Sequence, residues 1–259
     1  QPMSGLSIHG TILNLLKQMM KSQGRFILLY IIIGVNLLVG CGRKAAPQYV
    51  IGVSQCSEDI WRDKFNKELQ MAEYLNDSIQ VKLASSNDDS KLQTRQINQM
   101  IDEKVDLLVI APNQLNTISP AINRAYDKGI PVIIYDRKAN SNKYTAFIGC
   151  DNYAIGKSMG EFIAQKLQGK GRVVEIRGLE GSSPALERHR GFMEAMKKYP
   201  GMQVVASEAG DWKEESGKKA MQRILDKTRD FDYVFSHNDR MGWGAYQVVR
   251  DRGLARNYK

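Results

Sequence analysis

The chain has 259 residues, with 37 Lys and Arg against 28 Asp and Glu, a formal charge of +9 and three histidines. The positive surplus is spread along the chain with no basic run interleaved with aromatics, which argues against nucleic acid as a partner; solubility or a nearby anionic surface accounts for it equally well. Three histidines (His9, His189, His237) and three cysteines show no metal-ligand spacing, so no zinc site is expected.

Residues 1–18 precede a more natural start at Met19 or Met20, and no fold is read into them. Phe26 to Gly40 (FILLYIIIGVNLLVG) is fifteen residues long and interrupted by Asn36, short of the about 20 residues a bilayer crossing needs. Lys21 and Arg25 stand before it, no acidic residue precedes it and small residues close it, the pattern of a secretory signal. Leu38-Val39-Gly40-Cys41 has the form of a bacterial lipobox, so Cys41 is expected to be lipidated as the mature N-terminus. An uncleaved signal anchor with a chance Cys is the alternative. In both cases the rest of the chain faces away from the cytosol, in the periplasm or cell envelope, anchored to the membrane. Removing residues 1–40 leaves 219 residues, enough for two modest domains or one large one. It also removes Lys17, Lys21 and Arg25, leaving a charge of about +6.

After a linker over residues 41–48, apolar strand-like runs alternate with amphipathic helical stretches. Strands are predicted at Tyr49–Ser54, Ile79–Ala84, Asp106–Ile110, Val132–Tyr135, Ala146–Gly149, Val173–Arg177, Gln203–Ala206 and Tyr233–Phe235. Between them Trp61, Phe65, Leu69, Ala72 and Leu75 recur at helical spacing, as do Leu92, Gln96 and Met100, then Ile155, Met159, Phe162 and Ile163, then Phe192, Ala195, Met196 and Tyr199. Leu107-Leu108-Val109-Ile110 and Val132-Ile133-Ile134 are continuously apolar, as in parallel strands covered on both faces. The expected fold is therefore α/β, two doubly wound parallel-sheet lobes built from βαβ units, residues 49–150 and 151–259. Arg137 to Thr145, the longest non-helical connection, is the candidate crossover between lobes. The second lobe has fewer elements, and a protein of this kind is expected to continue past Lys259, so the chain reads as C-terminally truncated. Cys56 and Cys150, about 94 residues apart, are expected to be buried free thiols rather than a disulfide.

In open parallel sheets ligands bind beyond the carboxyl ends of the strands. The residues there are Ser54-Gln55, Pro112-Asn113, Asp136-Arg137, Gly178-Leu179, Asp211-Trp212 and His237-Asn238, with Trp61 a short turn past the first strand. Arg and Asp supply charge-assisted hydrogen bonds, Asn both donor and acceptor, and Trp a flat apolar face. That set suits a polyhydroxylated ligand. Each residue also has a structural reading. Trp61 lies on an apolar stripe and fits a core as well as a ligand platform. Asp151 and Asn238-Asp239 sit where helix caps are expected. Arg188 stands within reach of Glu187 or Glu180, and Trp212 is expected to begin a helix. No G-x-G-x-x-G follows the first strand and no P-loop occurs, so the chain is not expected to be an enzyme.

Ile51-Gly52-Val53-Ser54, Asp136-Arg137, Ile148-Gly149-Cys150-Asp151-Asn152, Gly181-Ser182-Ser183, Glu187-Arg188-x-x-Gly191-Phe192 and His237-Asn238-Asp239, in that order, resemble the type I periplasmic sugar-binding proteins of the ribose- and galactose-binding kind. The resemblance runs from about Tyr49 to the end. It implies ligand contacts at Ser54, Glu58, Trp61, Asp136, Arg137, Arg188, Trp212 and Asn238, to which the strand-end reading adds Asn113. Glu58-Asp59-Ile60-Trp61 replaces the family's usual Asn-Pro-aromatic-aromatic segment. Val53 to Arg62 (VSQCSEDIWR) looks closer still to the sensor ectodomains of hybrid two-component regulators. The resemblance implies a binding domain that closes on a monosaccharide or similar polyol by hinge motion around residues 136–150. Its partner would be an importer permease or, alternatively, a kinase module of the same protein. An α/β enzyme acting on a sugar or nucleotide is the third possibility.

Overall fold

The computed structural model describes residues 47–254, and Lys17 ahead of them. The lipobox, Cys41 and the apolar run before it lie outside the described residues. Eight strands alternate with seven helices from residue 47 onward. The strands are β1 (Tyr49–Gln55), β2 (Ile79–Ser85), β3 (Leu107–Ile110), β4 (Val132–Tyr135), β5 (Ala146–Ile148), β6 (Lys170–Arg177), β7 (Gly201–Ala209) and β8 (Tyr233–Ser236). The helices are α1 (Ile60–Tyr74), α2 (Ser90–Asp102), α3 (Ser119–Asp127), α4 (Asn152–Lys166), α5 (Ser183–Lys197), α6 (Glu214–Lys227) and α7 (Asp239–Asp251).

The strands form two all-parallel sheets, ordered β2-β1-β3-β4-β5 and β7-β6-β8. Parallel pairing demands a crossover between neighbours, and the helices supply it. The segment from Arg137 to Thr145 does not pass between sheets: Ala146–Ile148 pairs with Ile133–Tyr135, so β5 is an edge strand of the first sheet. Chain transfer falls instead on Gly149–Asp151, immediately before α4. Strand apolarity alone gives no partner, which is why the sequence placed the crossover one strand early.

In the first lobe Leu108, Ile110, Val132 and Ile134 pack against Ile97, Met100 and Ile101 of α2 and Ala121, Ile122 and Ala125 of α3. In the second, alternate residues of β6 point to opposite faces. Val174 and Ile176 meet Met221 and Ile224 of α6 and Met241 and Ala245 of α7. Val173 meets Ile163 of α4 and Phe192 of α5. The α4–α5 crossing is very close, since a Cβ on Gly156 would strike the Arg188 carbonyl and one on Gly191 the Tyr153 carbonyl. Cys56 is a buried free thiol as expected; Cys150 is free but exposed, because it lies on the connection leaving β5 rather than in a core.

From Pro47 onward the chain forms one compact unit, and the two lobes touch. Leu115 N–H donates to the Gly181 carbonyl at 3.0 Å and Lys138 N–H to Ser183 Oγ at 2.7 Å. Two ion pairs cross as well, Lys138–Glu187 at 2.7 Å and Lys213–Asp88 at 2.6 Å. Among the described residues no helix is long and apolar enough to cross a membrane.

Candidate functional site

The carboxyl ends of β1, β3 and β4 carry the first group of side chains. Ser54 is buried, and its Oγ accepts from Gln93 Nε2 at 3.2 Å. Asn113 is buried too: its N–H donates to Gln93 Oε1 at 2.9 Å, and its Nδ2 donates to the Asp88 carbonyl at 2.7 Å and Ser90 Oγ at 2.9 Å. Arg137, likewise buried, donates from Nη1 to the Asn113 carbonyl at 3.1 Å and Oδ1 at 3.3 Å. Ser54 thus meets Gln93, and Asn113 ties Gln93, the Asp88–Ser90 turn and Arg137 together.

Asp136 follows β4 with φ +62°, a left-handed conformation uncommon outside Gly, Asn and Asp. Its carboxylate pairs with Arg62 of α1. Arg62 was not singled out in the sequence. The inward face of α1 runs through Arg62, Phe65, Asn66 and Leu69; it keeps Phe65 and Leu69 of the predicted stripe but not Trp61, Ala72 or Leu75, which are exposed. Arg62 is 7% exposed and the only buried residue of α1, while Trp61 is 74% exposed, so Trp61 is not core. Phe65 lies on Tyr135 with ring centroids 4.8 Å apart, and the Arg62 guanidinium covers that Tyr135 ring at 5.3 Å. Burial alone would lower the Arg62 pKa, but the neighbouring Cys56, Asp136 and Tyr135 hold it above its usual value. A buried Arg beside an apolar stripe leaves no periodic trace; only its place next to the strand end hinted at it. Glu58 is exposed in the loop ahead of α1, whose cap is Asp59.

The second group belongs to β6, β8 and the helices after them. Arg188, near the start of α5, makes neither of the ion pairs considered: Glu187 pairs with Lys138, and Glu180 lies beside Arg177. Its Nε donates to Asn152 Oδ1 at 3.0 Å and its Nη1 to the His237 carbonyl. Burial lowers the Arg188 pKa against the pull of Asp136, Cys150 and Asp239, so the charge of Asp136 is felt across the gap between lobes. The guanidinium stands 5.5 Å from the Trp212 ring, a cation–π distance.

Trp212 does not begin a helix. It sits in the turn before α6, which starts at Glu214, with φ +68°, and Asp211 before it has φ +52°. For a bulky aromatic that backbone is a genuine outlier, of the kind that concentrates at functional sites. Its ring lies flush on Gly178, where any Cβ would collide with it, and its buried Nε1–H has no hydrogen-bond partner among the described residues. Asn238 caps α7 by accepting from Met241 N–H at 2.9 Å and donates from Nδ2 to the Trp212 carbonyl at 3.0 Å. Asp151 caps α4 through Ala154 N–H at 2.9 Å. The structure therefore gathers Asp136 and Arg137 on one lobe and Arg188, Trp212 and Asn238 on the other. Beneath the second group lies a cluster that strand-end reasoning passed over: Glu175 accepts from His237 Nε2 at 3.0 Å and from Ser207 Oγ at 2.7 Å, and meets His189 Nδ1 at 2.9 Å.

Comparison with known proteins identifies the family. The family described as periplasmic binding protein domain matches residues 51–258. The chain is 30% identical over 234 residues to the galactofuranose-binding protein YtfQ of Escherichia coli K12, covering 87% of this chain and 73% of that one. It is 32% identical over 175 residues to the ribose import binding protein RbsB of Bacillus subtilis 168, covering 68% and 57%. Among solved structures, the fructose-binding periplasmic domain of a hybrid two-component system is 42% identical with a TM-score of 0.78, covering 81% of this chain and 70% of that one. The chain spans 51% to 73% of the length of the curated relatives it matches.

Proposed function

The chain belongs to the periplasmic binding protein domain family, and on that premise we propose that it binds a monosaccharide or similar polyol in the cleft between its two lobes, without catalysis. It has the type I fold of that family, and its relatives are sugar-binding proteins of transporters and of a sensor. The family belongs to the periplasm or cell envelope.

One observation carries the reading: Asp136 and Arg137 follow β4 on one lobe, Arg188 and Trp212 stand together beyond the strand ends of the other, and the lobes meet beside them through Lys138–Ser183 and Lys213–Asp88. A carboxylate and two guanidiniums supply fixed charge-assisted bonds to sugar hydroxyls, and an indole supplies the face for ring C–H groups. The unpartnered Trp212 Nε1–H is one donor a hydroxyl would satisfy. Trp61 and Glu58, exposed at the rim, are proposed to reach the ligand as the lobes close. Ligand that touches both lobes favours the closed arrangement by its differential contacts.

The test is a thermal-shift screen of the purified protein against monosaccharides. Fructose heads the panel because the sensor domain that binds it is 42% identical; ribose, galactose and myo-inositol follow. A sugar at a hundred times its Kd should add about 2.7 kcal/mol of stability. No shift with any sugar at millimolar concentration would sink the proposal.

Uptake and sensing are two settings for the same binding. The higher identity to a sensor domain than to the transporter proteins favours sensing. Deleting the gene separates them: loss of sugar uptake marks a carrier that serves an importer permease, whereas retained uptake with loss of sugar-induced transcription marks a sensor coupled to a kinase. Lipidation of Cys41 would be seen as incorporation of labelled palmitate that Cys41→Ser abolishes.

A further inference from the structure

Glu175 sits at the centre of the second lobe and is 0% exposed. It lies on the β6 face that also carries Val173, packed with Phe192 and Phe235. An ionised carboxylate in such a place is costly unless every lone pair is engaged. His237 Nε2, Ser207 Oγ and His189 Nδ1 engage it. The other ring nitrogen of His237 accepts from Gly178 N–H at 3.2 Å. An acceptor at Nδ1 leaves the proton on Nε2, pointed at Glu175, which defines one neutral tautomer.

Both ends of His237 lead to side chains that face the cleft. Its carbonyl holds Arg188 Nη1. Gly178, held by its ring, is the seat on which Trp212 lies. Of the two remaining partners of Glu175, Ser207 carries no charge, and His189 is 40% exposed in its side chain, open to solvent protons.

We propose that Glu175 is a positioning residue for sugar binding: through Nε2-protonated His237 it fixes the carbonyl that anchors Arg188 and the glycine that seats Trp212, and protonation of His189 loosens that hold. The proposal rests on the cleft being the sugar site. The charged groups that face the cluster are Arg177 beside His189, Arg188 beside His237, and Asp136, Cys150 and Asp239 beside Arg188. Burial pushes Glu175 up, but the His189 and His237 bonds outweigh it and bring it down to about 2. Burial holds His237 below the usual imidazole value. The Glu175 bond raises His189 despite its partial burial. On acidification His189 therefore takes the proton first and draws the carboxylate away from His237.

Nitrogen-detected NMR of the uniformly 15N-labelled, ligand-free protein tests the relay directly. His237 should show protonated Nε2 and bare Nδ1, and the Arg188 Nε–H and Trp212 Nε1–H signals should follow the titration of His189. In Glu175→Gln, which retains an acceptor for His237 but loses the charge, those two signals should no longer follow it. A His237 protonated at Nδ1, or Arg188 and Trp212 signals that do not respond in the parent, overturns the proposal whether or not a sugar is found. Calorimetry with D-fructose and D-ribose gives the second readout. Glu175→Leu, which orphans the His237 N–H, should weaken binding by about tenfold or more, and Glu175→Gln should bind about as the parent does at alkaline pH but lose the parent's weakening in acid. Parent-like binding by Glu175→Leu overturns the positioning role. Should Glu175→Leu fail to fold, the pH profiles of Glu175→Gln and His189→Gln decide. If neither these two nor any other sugar of the thermal-shift panel binds the parent, it is the proposed ligand class that fails, and the NMR result still stands on its own.

Discussion

Arg188 meets the second lobe through two acceptors, Asn152 Oδ1 and the His237 carbonyl, and neither carries a charge. Its guanidinium is thus oriented without being neutralised, which leaves its charge to a ligand or to Asp136. Arg188→Ala should lower sugar affinity by about 1.5–3 kcal/mol, roughly 10- to 150-fold, since hydrogen bonds to charged groups are worth that much; calorimetry with the sugar found by thermal shift reads it, and unchanged affinity would remove Arg188 from the site. Arg62 does the opposite work on the other lobe, where it is buried against Asp136 and fixes that carboxylate from behind. The sequence made Arg188 and Asp136 legible, since both follow strand ends or open a helix. It did not reveal Arg62 or Glu175, because a polar residue that is buried for a partner far along the chain resembles a surface residue locally.

The helices and strands were the most legible level, for a reason that particular elements make plain. β3 and β4 are continuous apolar runs that only a doubly covered parallel sheet accommodates, and β6 likewise carries Val173, Val174 and Ile176 to both faces. Pairing was less legible: β5 is three residues long and its membership in the first sheet depends on the partner it meets, not on its own side chains. α1 is the weakest element, with exposed Trp61, Met71 and Tyr74, and its predicted stripe holds only at Phe65 and Leu69, because the one buried position of the helix is Arg62. The contact between α4 and α5 is the tightest. Gly191→Val should cost about 1–3 kcal/mol by urea denaturation, as overpacking does, and because it moves Arg188 away from Asn152 it should weaken sugar binding as well. A variant as stable as the parent would show that the crossing has slack.

Across the whole molecule, the buried Glu175 cluster ties α5, β6, β7 and the end of β8 into one acid-sensitive unit. Its pKa is lowered to about 2 from 4.5, so the stability it contributes is present above about pH 4.5 and is lost as pH falls toward about 2. The expected acid limb in urea midpoint should be shallower for Glu175→Gln than for the parent; identical limbs would show that the carboxylate is not ionised in the native state. His237, lowered by burial, and His189, raised by Glu175, act with opposite signs: His237 loses stability as pH falls below 6.5, whereas the His189 contribution is full there and fades as pH rises.

The pairs Lys213–Asp88 and Lys138–Glu187 tie the lobes together without drawing on any residue of the proposed sugar site. In a receptor, contacts that hold the signalling shape in the absence of sugar set the background output: some fraction of empty molecules reports the sugar as present. The same contacts reduce how much of the sugar's binding energy goes into shutting the cleft, so sensitivity and silence oppose each other. On the proposed sensor reading, Lys213→Gln should therefore give a quieter and less sensitive protein, with weaker sugar affinity and a larger change in small-angle scattering radius on binding. Added salt should move the parent the same way through the exposed Lys213–Asp88 pair, which is screened more than the part-buried Lys138–Glu187. Background, on this view, is set at the mouth of the cleft, by two lysines that need not touch the sugar.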